Sequence, residues 1–315
     1  MDSSVNHQVA TTASSNPSNR EVKAVDSKNV VSSKKIFFTG PYRQQDWSLP
    51  DSLMYYMAMN PKSAETYQKL VKSCKYFYIK NPILVAPQLQ LVYYDKKWHI
   101  FSRKETIEMV NVTQKLWIID FFDVTINAGE NVAASVISNI YKCDAKSVYL
   151  QNQTISFNDF CFLALNVEEK LLLENTFVKN PDGSILAFQK LFQIITKVQS
   201  ISFKCHNTIG STISSETFNE LLKCPHFPKL KFFSFSHIPE AFDLDSFYGY
   251  MKKNKFTEFE LCFDDSISDA YKNRLVEIID EILANEERDY KTPFINFPGI
   301  DFEKYLKLYR ICYHY

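Results

Sequence analysis

The chain has 315 residues, 45% of them hydrophobic, enough to bury a sizeable core in one large domain or in a small domain joined to a bigger one. Its 36 Lys and Arg equal its 36 Asp and Glu, so no summed field draws it to nucleic acid or to an anionic membrane surface. The six glycines are widely separated, whereas a phosphate-cradling loop needs several within a few residues; nucleotide-binding loops of the usual types are disfavoured.

Residues 1 to about 35 are Ser, Asn, Val, Lys and Thr without a sustained period, and are expected to form a disordered tail. With no apolar leader and no run of eighteen apolar residues, the expected location is cytoplasmic or nuclear, neither secreted nor membrane-bound. The seven cysteines are scattered, odd in number and set mostly among apolar residues, which suits reduced thiols.

The stretch "SLPDSLMYYMAMNPKSAETYQKLVKSCKYFYIKNP", residues 48–82, reads as two helices. The first runs from about Asp51 to Met59 and the turn is at Asn60-Pro61. The second runs from about Ser63, a cap, to Ile79, because Ala64, Tyr67, Leu70, Val71, Cys74, Phe77 and Tyr78 recur at spacings of three and four. Residues 83–115 follow as strands or irregular connection, with a turn at Lys96-Lys97.

From Leu116 onward strand-like and helix-like segments alternate. The strands are "KLWIIDFF", "KSVYLQNQTI", "EKLLLENTFV", "QSISFKCHNTI", "LKFFSFSHIP" and "TEFELCFDDSI"; the helices are "AASVISNIYK", "FNDFCFLALN", "SILAFQKLFQIIT", "SETFNELLKC", "DSFYGYMKKN" and "DAYKNRLVEIIDEIL". Ser156, Ser184, Asp245 and Ser268 supply cap chemistry. Leu150, Leu173, Phe203, Phe235 and Leu261 occupy equivalent strand positions. Alternation puts Val148, Leu150 and Asn152; Leu171, Leu173 and Asn175; Ile201, Phe203 and Cys205; Phe233, Phe235 and His237; and Phe259, Leu261 and Phe263 on one face.

The intervening residues are a polar and apolar mixture, which favours one open face over a sheet buried on both sides. The fold class is therefore α/β: a short N-terminal helical unit at 48–82, then a strand–helix repeat domain at 116–285 forming a parallel sheet with helices on one face. The aromatic segment 286–315 serves as a cap over the last repeat.

No residue cluster argues for catalysis or a cofactor. Cys224-Pro-His226, Cys205-His206 and His237 contain zinc-ligand types, but no Cys-x-x-Cys occurs, and Cys205 and His237 fall on inward strand positions. A cysteine nucleophile finds no oriented base or oxyanion loop. Asp264-Asp265 and Lys252-Lys253 read as helix-terminal residues.

The opening Leu-Pro with a further Leu three residues on, and the closing Leu-Val-x-x-Cys-x-x-Phe, resemble an F-box. Cys74 falls three residues after Val71 rather than directly behind it. The chain as a whole resembles nematode F-box-containing proteins that follow this segment with leucine-rich-like repeats, a solenoid architecture. The resemblance implies a substrate receptor of an SCF ubiquitin ligase, a non-enzymatic protein without cofactor. In it Leu49, Pro50, Leu53, Met57, Leu70, Val71, Cys74 and Phe77 dock the adaptor subunit.

The open sheet face, with Tyr149, Gln151, Leu172, Glu174, Lys204, Ser234, Ser236 and Glu260, is the expected surface for an unknown target protein. Tyr149 is its first candidate anchor. The alternative is an interaction solenoid without a ligase, whose N-terminal helices only cap the repeats.

Overall fold

The computed structural model describes residues 46–125, 129–204, 212–285 and 287–313; the expected N-terminal tail, Cys205 and His206 lie outside them. Three helices open the fold: α1 (Asp51–Met59), α2 (Ala64–Ser73) and α3 (Lys75–Lys80). The Pro50 carbonyl accepts from the Leu53 and Met54 amides and starts α1. Ser63 Oγ accepts from the Thr66 amide at 3.1 Å and starts α2.

The single helix expected from Ser63 to Ile79 is two, because Cys74 takes extended backbone with φ −155°. Its amide closes α2 on the Leu70 carbonyl, and its Sγ accepts from the Tyr76 amide at 3.4 Å to open α3. This break turns Phe77 inward onto Met54 and Ala58.

Thirteen strands lie among the described residues. They are β1 (Ile83–Leu91), β2 (Trp98–Phe101), β3 (Thr106–Glu108), β4 (Lys115–Val124), β5 (Ile140–Cys143), β6 (Ser147–Gln151), β7 (Thr154–Ser156), β8 (Lys170–Glu174), β9 (Phe177–Lys179), β10 (Ser200–Lys204), β11 (Phe232–Ile238), β12 (Glu258–Phe263) and β13 (Phe294–Asn296). Eleven form one sheet in the order β13-β12-β11-β10-β8-β6-β4-β1-β2-β3, with β5 beside β4; β7 and β9 pair separately. The pairings are parallel except β1–β2 and β2–β3. Those two hairpin pairings are built by the 83–115 connection, whose turn places Lys96 at φ 56°.

Leu150, Leu173, Phe203, Phe235 and Leu261 stand directly opposite one another across five strands. With Phe122, Val148, Leu171, Ile201, Phe233 and Phe259 they form a buried inner face. Helices α4 (Val132–Ile137), α5 (Phe157–Ala164), α6 (Phe188–Ile194), α7 (Glu216–Leu222), α8 (Leu244–Met251) and α9 (Asp269–Ala284) supply its other half, through residues such as Phe160, Leu191, Phe218, Phe247 and Ile278. Phe188 stacks on Phe235 at 5.0 Å and 8° between planes. Each such ring contributes roughly 1.5–3 kcal/mol by leaving water.

Local differences from the sequence reading have local causes. The helix expected to run to Lys142 stops at Ile137, and Ile140–Cys143 pairs with β4 instead. Ser184 caps no helix; it is held in a turn by Asp182 Oδ1 at 2.9 Å from its amide, and α6 begins later, at Phe188. Asp243 rather than Asp245 caps α8, accepting from the Ser246 amide at 3.1 Å. Ser156 and Ser268 cap α5 and α9.

Asn152, Asn175 and His237 do not continue the inner face. Each has left-handed backbone, with φ of 54°, 45° and 58°; Asn152 and Asn175 follow the ends of β6 and β8 and turn the chain away, whereas His237 sits at a bulge inside β11, where the pairing with β12 shifts between Ser236 and Ile238. Asn175 Nδ2 then donates to Asn152 Oδ1 at 2.7 Å, a bond from one strand end to the next.

The outer face is covered at its two ends. On one side Tyr67 of α2 packs with Ile83 and Trp117, and Val71, Val85, Ile119 and Tyr141 surround them. On the other, Tyr305, Tyr309 and Tyr313 of α10 (Phe302–Tyr313) lie against Phe294 of the edge strand β13, while Lys304 of the same helix pairs with Asp280 of α9. Covering β13 in this way protects a sheet edge.

Candidate interaction surfaces

The helical unit has a buried side and an uncovered side. Met54, Ala58 and Phe77 are inside, packed with Trp47, Leu70, Val71, Cys74 and Tyr76. Leu49, Leu53 and Met57 are 44%, 48% and 37% exposed, and Tyr56 is 65% exposed. Spacings of three and one place Leu53, Tyr56 and Met57 along one side of α1, and Leu49 precedes the helix by two residues. Of the eight residues singled out in this segment, Leu49, Pro50, Leu53 and Met57 are at the surface, Leu70, Val71 and Cys74 are half-buried, and Phe77 is 3% exposed. Phe77 is therefore a core residue of the unit in this arrangement. Tyr56 joins the exposed side.

The unit is fastened to the sheet by polar contacts as well. Tyr67 Oη donates to the Asn81 carbonyl at 2.7 Å and accepts from the Ile83 amide at 3.0 Å. Asn81 Nδ2 donates to the Ala58 carbonyl at 3.0 Å. Trp117 Nε1 donates to Asp144 Oδ2 at 2.7 Å, and Asp144 also receives Asn166 and Lys142.

Between its two covered ends the outer face is open, and strand register arranges its side chains in rows. One row runs Gln90, Asp123, Tyr149, Leu172, Ser202, Ser234, Glu260 and Phe294. The next runs Gln151, Glu174, Lys204, Ser236, Cys262 and Asn296. All eight expected partner-facing residues fall in these two rows. Seven are half-buried, and Ser234 is only 8% exposed.

Sequence reasoning missed Phe121, Asp123 and Lys170. Tyr149 meets Phe121 edge-on at 4.7 Å, and the Lys170 ammonium lies 5.5 Å from the Tyr149 ring. The signal was available: continuing the alternation outward from buried Phe122 places Phe121 and Asp123 on this face.

Charges on the open face are partly matched. Lys204 pairs with Glu174 at 2.6 Å, and Lys291 with Glu258 at 2.6 Å. Burial raises the Asp123 carboxyl above the ordinary aspartate range, against hydrogen bonds from Thr125. Burial likewise raises Glu260, opposed by a hydrogen bond from the Tyr313 hydroxyl and by the more distant charge of Lys170. Cys262, between Ser236 and Asn296, is raised chiefly by burial.

The zinc-type residues lie apart from these surfaces. Cys224 donates to the Glu220 carbonyl at 3.8 Å, and His226 stacks on Phe192 at 5.9 Å with its basicity lowered by burial. His237 Nδ1 lies 3.6 Å from Asp264. Among the described residues no three His, Cys, Asp or Glu side chains converge on one point, and no helix is long and apolar enough to cross a membrane.

No protein-family model matches the chain, and no curated protein or solved structure matches it.

Proposed function

We propose that this protein is the substrate-recognition subunit of an SCF-type ubiquitin ligase, with an F-box-like helical unit that docks the adaptor and a leucine-rich-like solenoid that holds a target protein. The supporting observation is the side of α1 formed by Leu53, Tyr56 and Met57, with exposed Leu49 just ahead of the helix, uncovered although the opposite side of the same helix is already buried. A helix apolar on both sides needs a second cover, and the F-box-like spelling supplies the identity of that cover. Burying three such side chains is worth several kcal/mol, at roughly 1.5–3 kcal/mol each, before ordering costs.

The open rows of the sheet are then the target-binding surface, held at a fixed orientation to α1 by the Tyr67 and Trp117 contacts. Those same contacts favour a second reading, in which the helices only cap a non-ligase interaction solenoid, since α2 covers one end of the sheet.

Depleting the protein in its own cells separates the two. A ligase receptor predicts that the protein captured by the open face accumulates and loses ubiquitin; a capped solenoid predicts unchanged abundance.

A further inference from the structure

The helices that cover the inner face, α4 to α9, all follow β4 in the chain. Between β3 and β4 the described chain makes only the 3-10 turn Met109–Asn111 and an irregular stretch. A cavity of about 490 Å³ opens at this end of the inner face, with Trp98, Met109, Val112 and Leu116 in its wall. Trp98 reaches the core through Phe122, with ring centroids 5.6 Å apart, and Met109 and Val112 pack against the same cluster. A concave space of this size, apolar in its wall with a few polar groups placed around it, has the make-up of a small-molecule site.

The rim of the cavity is unevenly charged. It carries Lys96, Lys97 and Lys115 against a single carboxylate, Glu108. Lys97 is held by Glu108 at 3.0 Å, and the Lys96 ammonium lies 4.6 Å from the centre of the Tyr93 ring. Lys115 belongs to no ion pair among the described residues, and it directly precedes Leu116 of the cavity wall. A net positive rim around an apolar wall selects an amphipathic anion, and one unmatched ammonium suits a single negative charge.

We infer that this cavity binds a small carboxylate with an apolar, ring-bearing body, its carboxylate at Lys115 and its body against Trp98. A sugar or another strongly polar ligand would leave its hydroxyls unanswered against Trp98, Met109 and Val112. A purely apolar ligand would make no use of Lys115. The cavity lies on the opposite face of the sheet from the open rows and apart from α1, so the inference does not depend on the ligase reading.

The test uses the full chain labelled with fluorotryptophan, whose three tryptophans give three fluorine signals by NMR. The Trp98 signal is identified by its absence in Trp98→Phe. Phenylbutyrate is the probe, and phenylbutyramide its neutral isostere. The expected result is a saturable shift of the Trp98 signal, with half-saturation below about 1 mM for the carboxylate and at least about fivefold weaker binding of the amide. Lys115→Gln, a change at an exposed side chain, is expected to weaken the carboxylate about fivefold and to leave the amide unchanged.

No saturable shift of the Trp98 signal at about 10 mM carboxylate overturns the inference. Equal binding of the two probes overturns it as well, as does a Lys115→Gln chain that takes the carboxylate as tightly as the parent.

Discussion

Tyr67 of α2 and Trp117 of β4 meet with ring centroids 6.4 Å apart, and both side chains are almost wholly buried. The pair joins the helical unit to the sheet, because the Tyr67 hydroxyl also holds the backbone where α3 gives way to β1. A helical unit fixed in this way presents its exposed side at a set angle to the open face.

Tyr67→Phe removes the partner of the buried Ile83 amide and is expected to cost about 1–3 kcal/mol. Trp117→Ala also leaves a cavity, and about 3–5 kcal/mol is expected. Denaturant unfolding measures both. Hydrogen exchange in residues 51–80 is expected to rise more in Trp117→Ala than exchange in β10 and β11, since the lost contact is local.

Asn175 ends β8 in left-handed backbone and donates to Asn152. Asn175→Ala loses the bond and pays for the backbone, with about 1–2 kcal/mol expected from the conformation alone. Asn175→Gly removes the bond but not the conformational ease, and is expected to be the more stable of the two variants in thermal melts.

Glu260 gives a pH signature. Burial raises its folded carboxyl above the unfolded value, so the folded state holds the proton more tightly. Its contribution is most favourable below the unfolded glutamate range of about pH 4 and is lost as pH rises through the folded value. Glu260→Gln, which stays neutral, is therefore expected to match the parent near pH 4 and to melt higher than the parent at pH 7. A parent that gains stability relative to the variant on raising the pH contradicts this sign.

Much of this fold was legible in the sequence. The five strand positions chosen by spacing alone, from Leu150 to Leu261, stand in one register row, because a buried face tolerates no one-residue slip. Reading failed where backbone conformation overrode the periodic pattern. Cys74 carries the apolar spacing of a helix yet adopts extended backbone, which splits the helix and buries Phe77. Asn152 and Asn175 keep strand alternation in sequence but leave the strand through left-handed turns.

Of the candidate surfaces, the open face was legible because alternation reports it directly. The same alternation extended to β4 would have reached Phe121 and Asp123, whereas Tyr313 was not legible, since it comes from a helix distant in sequence. The exposed side of α1 was only half legible: periodicity marks which residues are apolar, not which side the sheet and α3 leave bare.

The central claim is that α1 docks the adaptor subunit of an SCF ligase, and the most direct measurement is the affinity of the purified chain for that subunit. Leu53→Asp is the comparison, since Leu53 is 48% exposed and its replacement leaves the interior of the unit untouched. The prediction is a dissociation constant of about 1 μM or tighter for the parent, at least about tenfold weaker for the variant, with equal melting of the two proteins. No binding by the parent at about 100 μM adaptor, or equal binding by parent and variant, contradicts the account.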